Sequence, residues 1–323
     1  MTISEKLRML RSYTPSASEA VSESGLNKLE HFLKKSADRQ CKYAWIDTIC
    51  INKESSTELD ESIRSMFAWY RDSHICIVHL SETNSRFDLD QDPWFKRGWT
   101  LQELLAPRRL AFYSQDWNQI TRNDCIKHSV EQENQGKSEE RLWSEIAIIT
   151  GIEAEDLHNF TPGLYDIKKR MGWASSRKTT RIEDMAYCLI GIFDVDLSIA
   201  YGERERAFYR LQVEILQNCA DMGLFDWLGP GSAYNSMLAI SPACFEFHQS
   251  VHLDGWLQDN DATCTYTNLG IRVPQALFKL NEEDIKRLHL HKDAVAFAFL
   301  GDSSNPTEIL ILILGEGDRR GQY

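Results

Sequence analysis

Four side chains have the types and the spacing to do chemistry. Asp47 closes the run Tyr43-Ala44-Trp45-Ile46-Asp47, and Ser81 follows Ile75-Cys76-Ile77-Val78-His79-Leu80. Both runs are short and apolar, like strands buried in a sheet, and ligands of open α/β sheets bind in the crevice beyond the carboxyl ends of such strands. Asp47 and Ser81 are therefore candidate ligand-binding residues. The competing use of Asp47 is to hold a turn through the backbone N–H groups of Thr48 to Cys50. Glu103 stands among Leu101, Leu104 and Leu105, one helical turn from Trp99. Burial there would raise its proton affinity and mark a functional carboxyl, whereas an ion pair with Arg97 or Arg108 would make it a structural anchor. Trp99, with Trp94, offers a stacking face for a planar ring, or else fills a core.

The elements that must position these groups are legible in the apolar periodicity. Leu26, Leu29, Phe32 and Leu33 recur at helical spacing before the first apolar run. Leu59, Ile63, Met66, Phe67 and Tyr70 form a second helical stripe before the run at 75–80. Strand, helix and strand within about 35 residues fit a crossover between parallel strands. A short helix carrying Glu103 stops at Ala106-Pro107, and Leu110-Ala111-Phe112-Tyr113 supplies a further strand. The fold class expected is α/β, a parallel sheet with helices over about 26–115. Residues 1–25 read as a flexible N-terminal arm, 139–218 as a helical extension and 219–323 as a β-rich C-terminal region. The helical extension includes 182–193 and the amphipathic 203–216, with Thr180–Glu183 as a capping box and Tyr201-Gly202-Glu203 as a turn. The chain ends soon after an apolar strand, which suggests a domain cut short.

With 323 residues, 42% of them apolar, the chain has ample material for a core. Asp plus Glu number 48 against 36 Lys plus Arg, a net charge of -12, which argues against general binding of nucleic-acid phosphates. Eight cysteines are spread singly with no zinc-ligand spacing, so no metal is expected. Most of them sit in apolar runs as small buried hydrophobes, and the expected location is cytoplasmic. Cys50 has no neighbouring His to activate it. No apolar stretch approaches the roughly 20 residues of a membrane span, and no glycine-rich phosphate loop is present.

Three further runs carry a family likeness: Trp45-Ile46-Asp47-Thr48-Ile49-Cys50-Ile51-Asn52-Lys53, Ser65-Met66-Phe67-Ala68-Trp69-Tyr70-Arg71 and Arg97-Gly98-Trp99-Thr100-Leu101-Gln102-Glu103-Leu104-Leu105-Ala106-Pro107. In this order they resemble the fungal heterokaryon-incompatibility (HET) domain family, and the likeness continues through Arg177–Val195 and Ile199–Glu203 as in its vegetative-incompatibility branch. The resemblance implies a HET domain over 26–138 and a role in fungal non-self recognition and programmed cell death. The partners it implies are proteins of incompatibility signalling or a second copy of the chain, with no nucleic acid, membrane or metal.

The family in turn resembles the Toll/interleukin-1 receptor (TIR) fold, a flavodoxin-like parallel sheet. Trp99-Thr100-Leu101-Gln102-Glu103-Leu104 matches the spacing of the plant-type TIR helix whose Glu serves in NAD cleavage. On that resemblance Glu103 is the catalytic carboxylate of an NAD nucleosidase, with NAD as substrate rather than resident cofactor, and would stabilise the ribose cation as nicotinamide leaves. The alternatives are a signalling module in which Glu103 is structural, or an inactive fragment. One departure is visible: the family's first strand, ending Ser-x-x-Trp-Gly, has no counterpart before Leu26.

Overall fold

A computed structural model describes residues 23–84, 86–127, 136–219 and 221–246, and the short strands beyond them. The chain divides into two compact units, 1–160 and 161–323.

In the first unit α1 (Glu23–Asp38) is followed by the single turn α2 (Asp47–Cys50) and by α3 (Ser56–Arg71). The start of α3 is fixed locally: Ser55 Oγ accepts from the Glu58 N–H at 3.3 Å, and Glu58 Oε1 accepts from the Asn52 N–H at 2.9 Å. The first satisfies a donor that the helix start leaves open, and the second ties the preceding turn to the helix. Its stripe buries Ile63, Met66 and Phe67. Then come β1 (Cys76–His79), α4 (Thr100–Leu105), β2 (Arg109–Tyr113), β3 (Cys125–Ile126), α5 (Lys137–Thr150) and α6 (Ala154–Asn159).

β1 and β2 pair in parallel from Cys76↔Leu110 to His79↔Tyr113, while β3 pairs antiparallel with β2. The sheet is thus a small mixed one, with its central strand almost wholly buried. Alternation splits β1: Cys76, Val78 and Leu80 point into one side, and Ile75, Ile77 and His79 share the other with Ala111 and Tyr113 of β2. Across the first side, Trp94, Phe112 and Trp143 meet edge to face in succession, an arrangement that favours aromatic packing beyond the area it buries.

The expected strand at 43–47 does not form. Residues 43–46 carry no sheet pairing and are only half-buried or exposed, because Trp45 turns onto α3, its ring 5.2 Å from Trp69 and 5.7 Å from Tyr70. Side-chain stacking holds this segment, and Asp47 opens a helical turn instead of closing a strand. Of the arm expected at 1–25, residues 1–22 lie outside the described part, and α1 already begins at Glu23.

The second unit contains α7 (Ile167–Ser175), α8 (Asp184–Tyr187), α9 (Ile190–Phe193) and α10 (Arg206–Asn218). The helix expected over 182–193 is two short ones, and α10 buries the expected Phe208, Leu211, Ile215 and Leu216. Glu183 does not cap its own helix. Its carboxylate takes the N–H groups of Gly202 at 2.7 Å and Arg204 at 3.1 Å, closing a turn in which Gly202 has φ 100°. Burial would raise this carboxyl, but its own backbone N–H, the N–H groups of Gly202 and Arg204 and the Arg181 charge together hold it below the usual range. Tyr187 donates to Glu203 at 2.8 Å, and Tyr201 donates to Asp184 at 2.8 Å. Further along, β4 (Thr265–Thr267) pairs antiparallel with β5 (Gly270–Arg272), and β6 (Leu277–Lys279), β7 (Ala294–Phe299) and β8 (Ile311–Gly315) form an antiparallel trio.

Candidate functional site

Glu103 is the centre of the best-defined polar arrangement in the first unit. It projects from α4, a two-turn helix whose neighbours Leu101, Leu104 and Leu105 are buried. The loop before α4 is rigid because Asp92, fully buried, accepts from the Glu82 N–H at 2.9 Å, the Thr83 hydroxyl at 3.1 Å and the Trp94 N–H at 3.0 Å. Trp94 is therefore held at both ends, and its indole Nε1–H donates to Glu103 Oε2 at 3.1 Å. The Tyr70 hydroxyl, from the end of α3, acts on the same carboxyl electrostatically.

Electrostatics around this carboxyl favour its protonated form. Burial pushes Glu103 up, and the charge of Asp47 adds to the rise against the opposing Trp94 hydrogen bond, the Arg97 charge and the Tyr70 hydroxyl. Burial also raises the Tyr70 hydroxyl well above its ordinary range, with Glu103 and Asp47 contributing. Two carboxyl groups in one field, one of them biased toward keeping its proton, can divide acid and base roles between them. Once ionised, Glu103 can stabilise developing positive charge nearby.

Asp47 shares this field even though it arrives from a helical turn and not from a strand end. Trp99 lies in helical backbone one turn before Glu103 and is partly buried, so the two occupy one helix face; the indole bound to the carboxyl is Trp94. Ser81 stands exposed in the turn after β1, beside the Asp92-pinned loop. Trp45, Trp69 and Tyr70 form an aromatic cluster in which Trp69 is 39% exposed and Tyr70 feels the charges of Glu103 and Asp47. Among the described residues no group of three or more His, Cys, Asp or Glu could hold a metal ion, and no helix is long and apolar enough to cross a membrane. Cys76 is buried near Glu103 as a packed thiol, and burial holds it firmly protonated.

Two members of the arrangement give no sequence signal. Tyr70 reads as the last apolar position of the α3 stripe, and only its hydroxyl betrays a polar use. Lys127, 3% exposed, donates from Nζ to the Leu104 carbonyl and, at 3.0 Å, to the Leu105 carbonyl, closing the end of the helix that carries Glu103. It stands in no periodic pattern.

Replacing Glu103 by glutamine is expected to raise stability at pH 7 by on the order of 1 kcal/mol, because a neutral acceptor replaces a carboxyl that resists ionisation. The sign follows from linkage: a raised carboxyl contributes stability at low pH that is lost as pH rises through its folded value. Urea unfolding at pH 7 checks it, and a clear loss of stability would show that the ionised form is the favoured one.

Residues 18–89 match the family model described as Heterokaryon incompatibility protein (HET). That segment includes Asp47, Tyr70 and Ser81 and ends before Trp94 and Glu103. Over 208 residues the chain is 38% identical to the vegetative incompatibility protein HET-E-1 of Podospora anserina, a match covering 61% of this chain and 14% of that protein. The chain thus spans about one-seventh of the length of this curated relative. No solved structure matches.

Proposed function

This chain carries a HET domain, and from that premise we propose that it acts in heterokaryon (vegetative) incompatibility, as a cytoplasmic module of fungal non-self recognition that signals programmed cell death. The observation that carries the proposal is the 38% identity to a vegetative incompatibility protein over 208 residues, 61% of this chain. In this reading the Glu103 centre is the part through which the domain meets its ligand or partner protein, and self-association is one form that the partner contact takes. The proposed organisation keeps a TIR-like HET domain over 26–138, a helical extension over 139–218 and a β-rich region over 219–323. The parallel pairing of β1 with β2 and the placement of α4 directly before β2 support the TIR-like part. Inducing the chain in a filamentous fungus and scoring hyphal death by exclusion-dye uptake tests the proposal. Death on induction is expected, and unaffected growth with folded protein present would overturn it.

A second reading, NAD cleavage with Glu103 as the catalytic carboxylate, is favoured by one observation: Glu103 accepts from an indole N–H in the field of Asp47 and Tyr70, and the Tyr70 ring belongs to an aromatic cluster with Trp45 and Trp69. An aromatic cluster suits a planar ring, and a neighbouring carboxylate suits the cation left on ribose when nicotinamide departs. Purified protein incubated with NAD should then release nicotinamide, and Glu103→Ala should not. Absence of release at high protein concentration removes this reading and leaves the signalling proposal standing.

A further inference from the structure

Away from the Glu103 centre, on the opposite side of the sheet, three rings are stacked in a row. Trp117 lies in the turn after β2, in left-handed backbone at φ 59°. The His79 ring from the end of β1 stacks on it at 4.2 Å and 11°, and the His31 ring from α1 stacks on it at 5.4 Å and 17°. One indole thus joins the first helix to the sheet through two imidazoles. Around the stack Phe32, Ile75 and Ile77 pack against Ala111, Tyr113 and Trp117.

The charged groups that face this contact are few and mostly positive. α1 contributes Lys28, which acts on His79 from the surface, and Lys35 and Arg39, which lie 5.0 and 5.3 Å from the Tyr113 ring centroid. Arg39 is paired with Asp124 at 2.7 Å, so its charge is compensated. Asp92 is the acidic group that acts on His79, and three hydrogen bonds already occupy it.

His79 is the member that cannot accommodate a proton in place. Its Nε2 lies 3.2 Å from the Gln115 carbonyl, which only accepts, so in the neutral ring Nε2 carries the hydrogen and Nδ1 holds the lone pair. Nδ1 is buried with no hydrogen-bond partner. A second proton would place on Nδ1 an N–H with no acceptor, and a positive charge beside His31 and Lys28 that only Asp92 opposes. Burial accordingly lowers the basicity of His79, and Lys28 and His31 add to the lowering against the Gln115 carbonyl and Asp92. The linkage sign is that of a buried neutral histidine: docking is favoured above the free imidazole value of about 6.5 and is lost as pH falls below it.

We propose that the His31–Trp117–His79 stack is an acid-sensitive clasp, which holds α1 on the sheet at neutral pH and releases it below about pH 6. Release uncovers Phe32 and the apolar face formed by Ile75, Ile77, Ala111 and Tyr113. The inference does not depend on the incompatibility reading, since it concerns only the packing of this chain.

Hydrogen–deuterium exchange of the full chain tests it, at pH 7.5 and 5.5, corrected for intrinsic exchange rates. One pH unit below 6.5, a histidine that must be neutral to dock costs up to about tenfold in the docking equilibrium. Protection of the α1 amides should fall about tenfold in the wild type, with α10 unchanged. His79→Phe keeps a ring on Trp117 but cannot titrate, and its α1 should be equally protected at both pH values. Unchanged α1 protection in the wild type, an equal loss in α10, or an acid response in His79→Phe as large as the wild type's would each overturn the proposal. Should His79→Phe not fold, imidazole NMR of the wild type decides. Loss of α1 protection must track protonation of His79, and tracking of another group overturns the clasp.

Discussion

Replacing Arg170 with alanine is expected to destabilise the second unit by about 4 kcal/mol. Arg170 is 2% exposed, yet it is a permanent cation in the middle of α7. It is tolerated because its guanidinium donates to three carbonyls: Thr161 at 2.8 Å, Gly163 at 3.0 Å and Ile192 at 2.9 Å. Its flat face also covers the Tyr165 ring at 3.8 Å. One side chain therefore ties the segment 161–165 to the end of α9. Truncation strands three acceptors and leaves a void where the guanidinium was, and each stranded buried acceptor costs roughly 1–3 kcal/mol, offset where water enters. Arg170→Lys should recover less than half of the loss, since an ammonium cannot span carbonyls on two segments and stack on a ring at once. Urea midpoints at constant m-value measure both variants. An Arg170→Ala midpoint within experimental error of wild type would refute the assignment.

The second large effect belongs to Lys127, and it carries a pH signature. Burial lowers its ammonium to about 7, and the neutral amine offers two N–H groups to the two carbonyls it faces, those of Leu104 and Leu105. The folded value lies below the unfolded one of about 10.4, so stability from this group grows as pH rises above 7 and falls away as pH drops. Lys127→Met keeps the length and removes both donors. The variant should be less stable than wild type by about 1 kcal/mol at pH 7 and about 3 kcal/mol at pH 9, the difference following from proton linkage over two pH units. Measuring the difference between the two proteins cancels the thiols, whose contribution has the opposite sign: burial holds Cys125 and Cys188 up to about 12. A wild-type advantage that shrinks from pH 7 to pH 9 would show that the buried lysine remains charged.

What could be read from the sequence divides by the kind of force involved. Burial periodicity announces itself, so the α3 stripe, the β1 and β2 runs and the α10 face stand where apolar spacing places them. The run at 43–46 shows the limit of that signal. Tyr43, Ala44, Trp45 and Ile46 have strand-like composition, but composition does not choose a ladder partner, and Trp45 instead stacks on Trp69 and Tyr70 of α3. Asp47 thus reaches the field of Glu103 by a different route from the one its position suggests. The Glu103 neighbourhood was partly legible, because three leucines around one carboxyl imply burial on a short helix. Its hydrogen-bond partner was not, since the choice between Trp94 and Trp99 depends on Asp92 pinning a loop whose sequence has no periodicity. Lys127 and Arg170 illustrate the general case. A buried cation satisfied by backbone carbonyls leaves no pattern in sequence, because its partners are peptide groups that every residue has.

We propose that Glu103, with Asp47, Tyr70 and Trp94 around it, is the centre through which the HET domain works. The most direct measurement is hyphal death on induction of wild type and of Glu103→Gln, which keeps an acceptor for the Trp94 N–H, with folded protein quantified in both. The account predicts death with wild type and survival with Glu103→Gln at equal levels of folded protein. Death at the wild-type rate in the Glu103→Gln strain would contradict it.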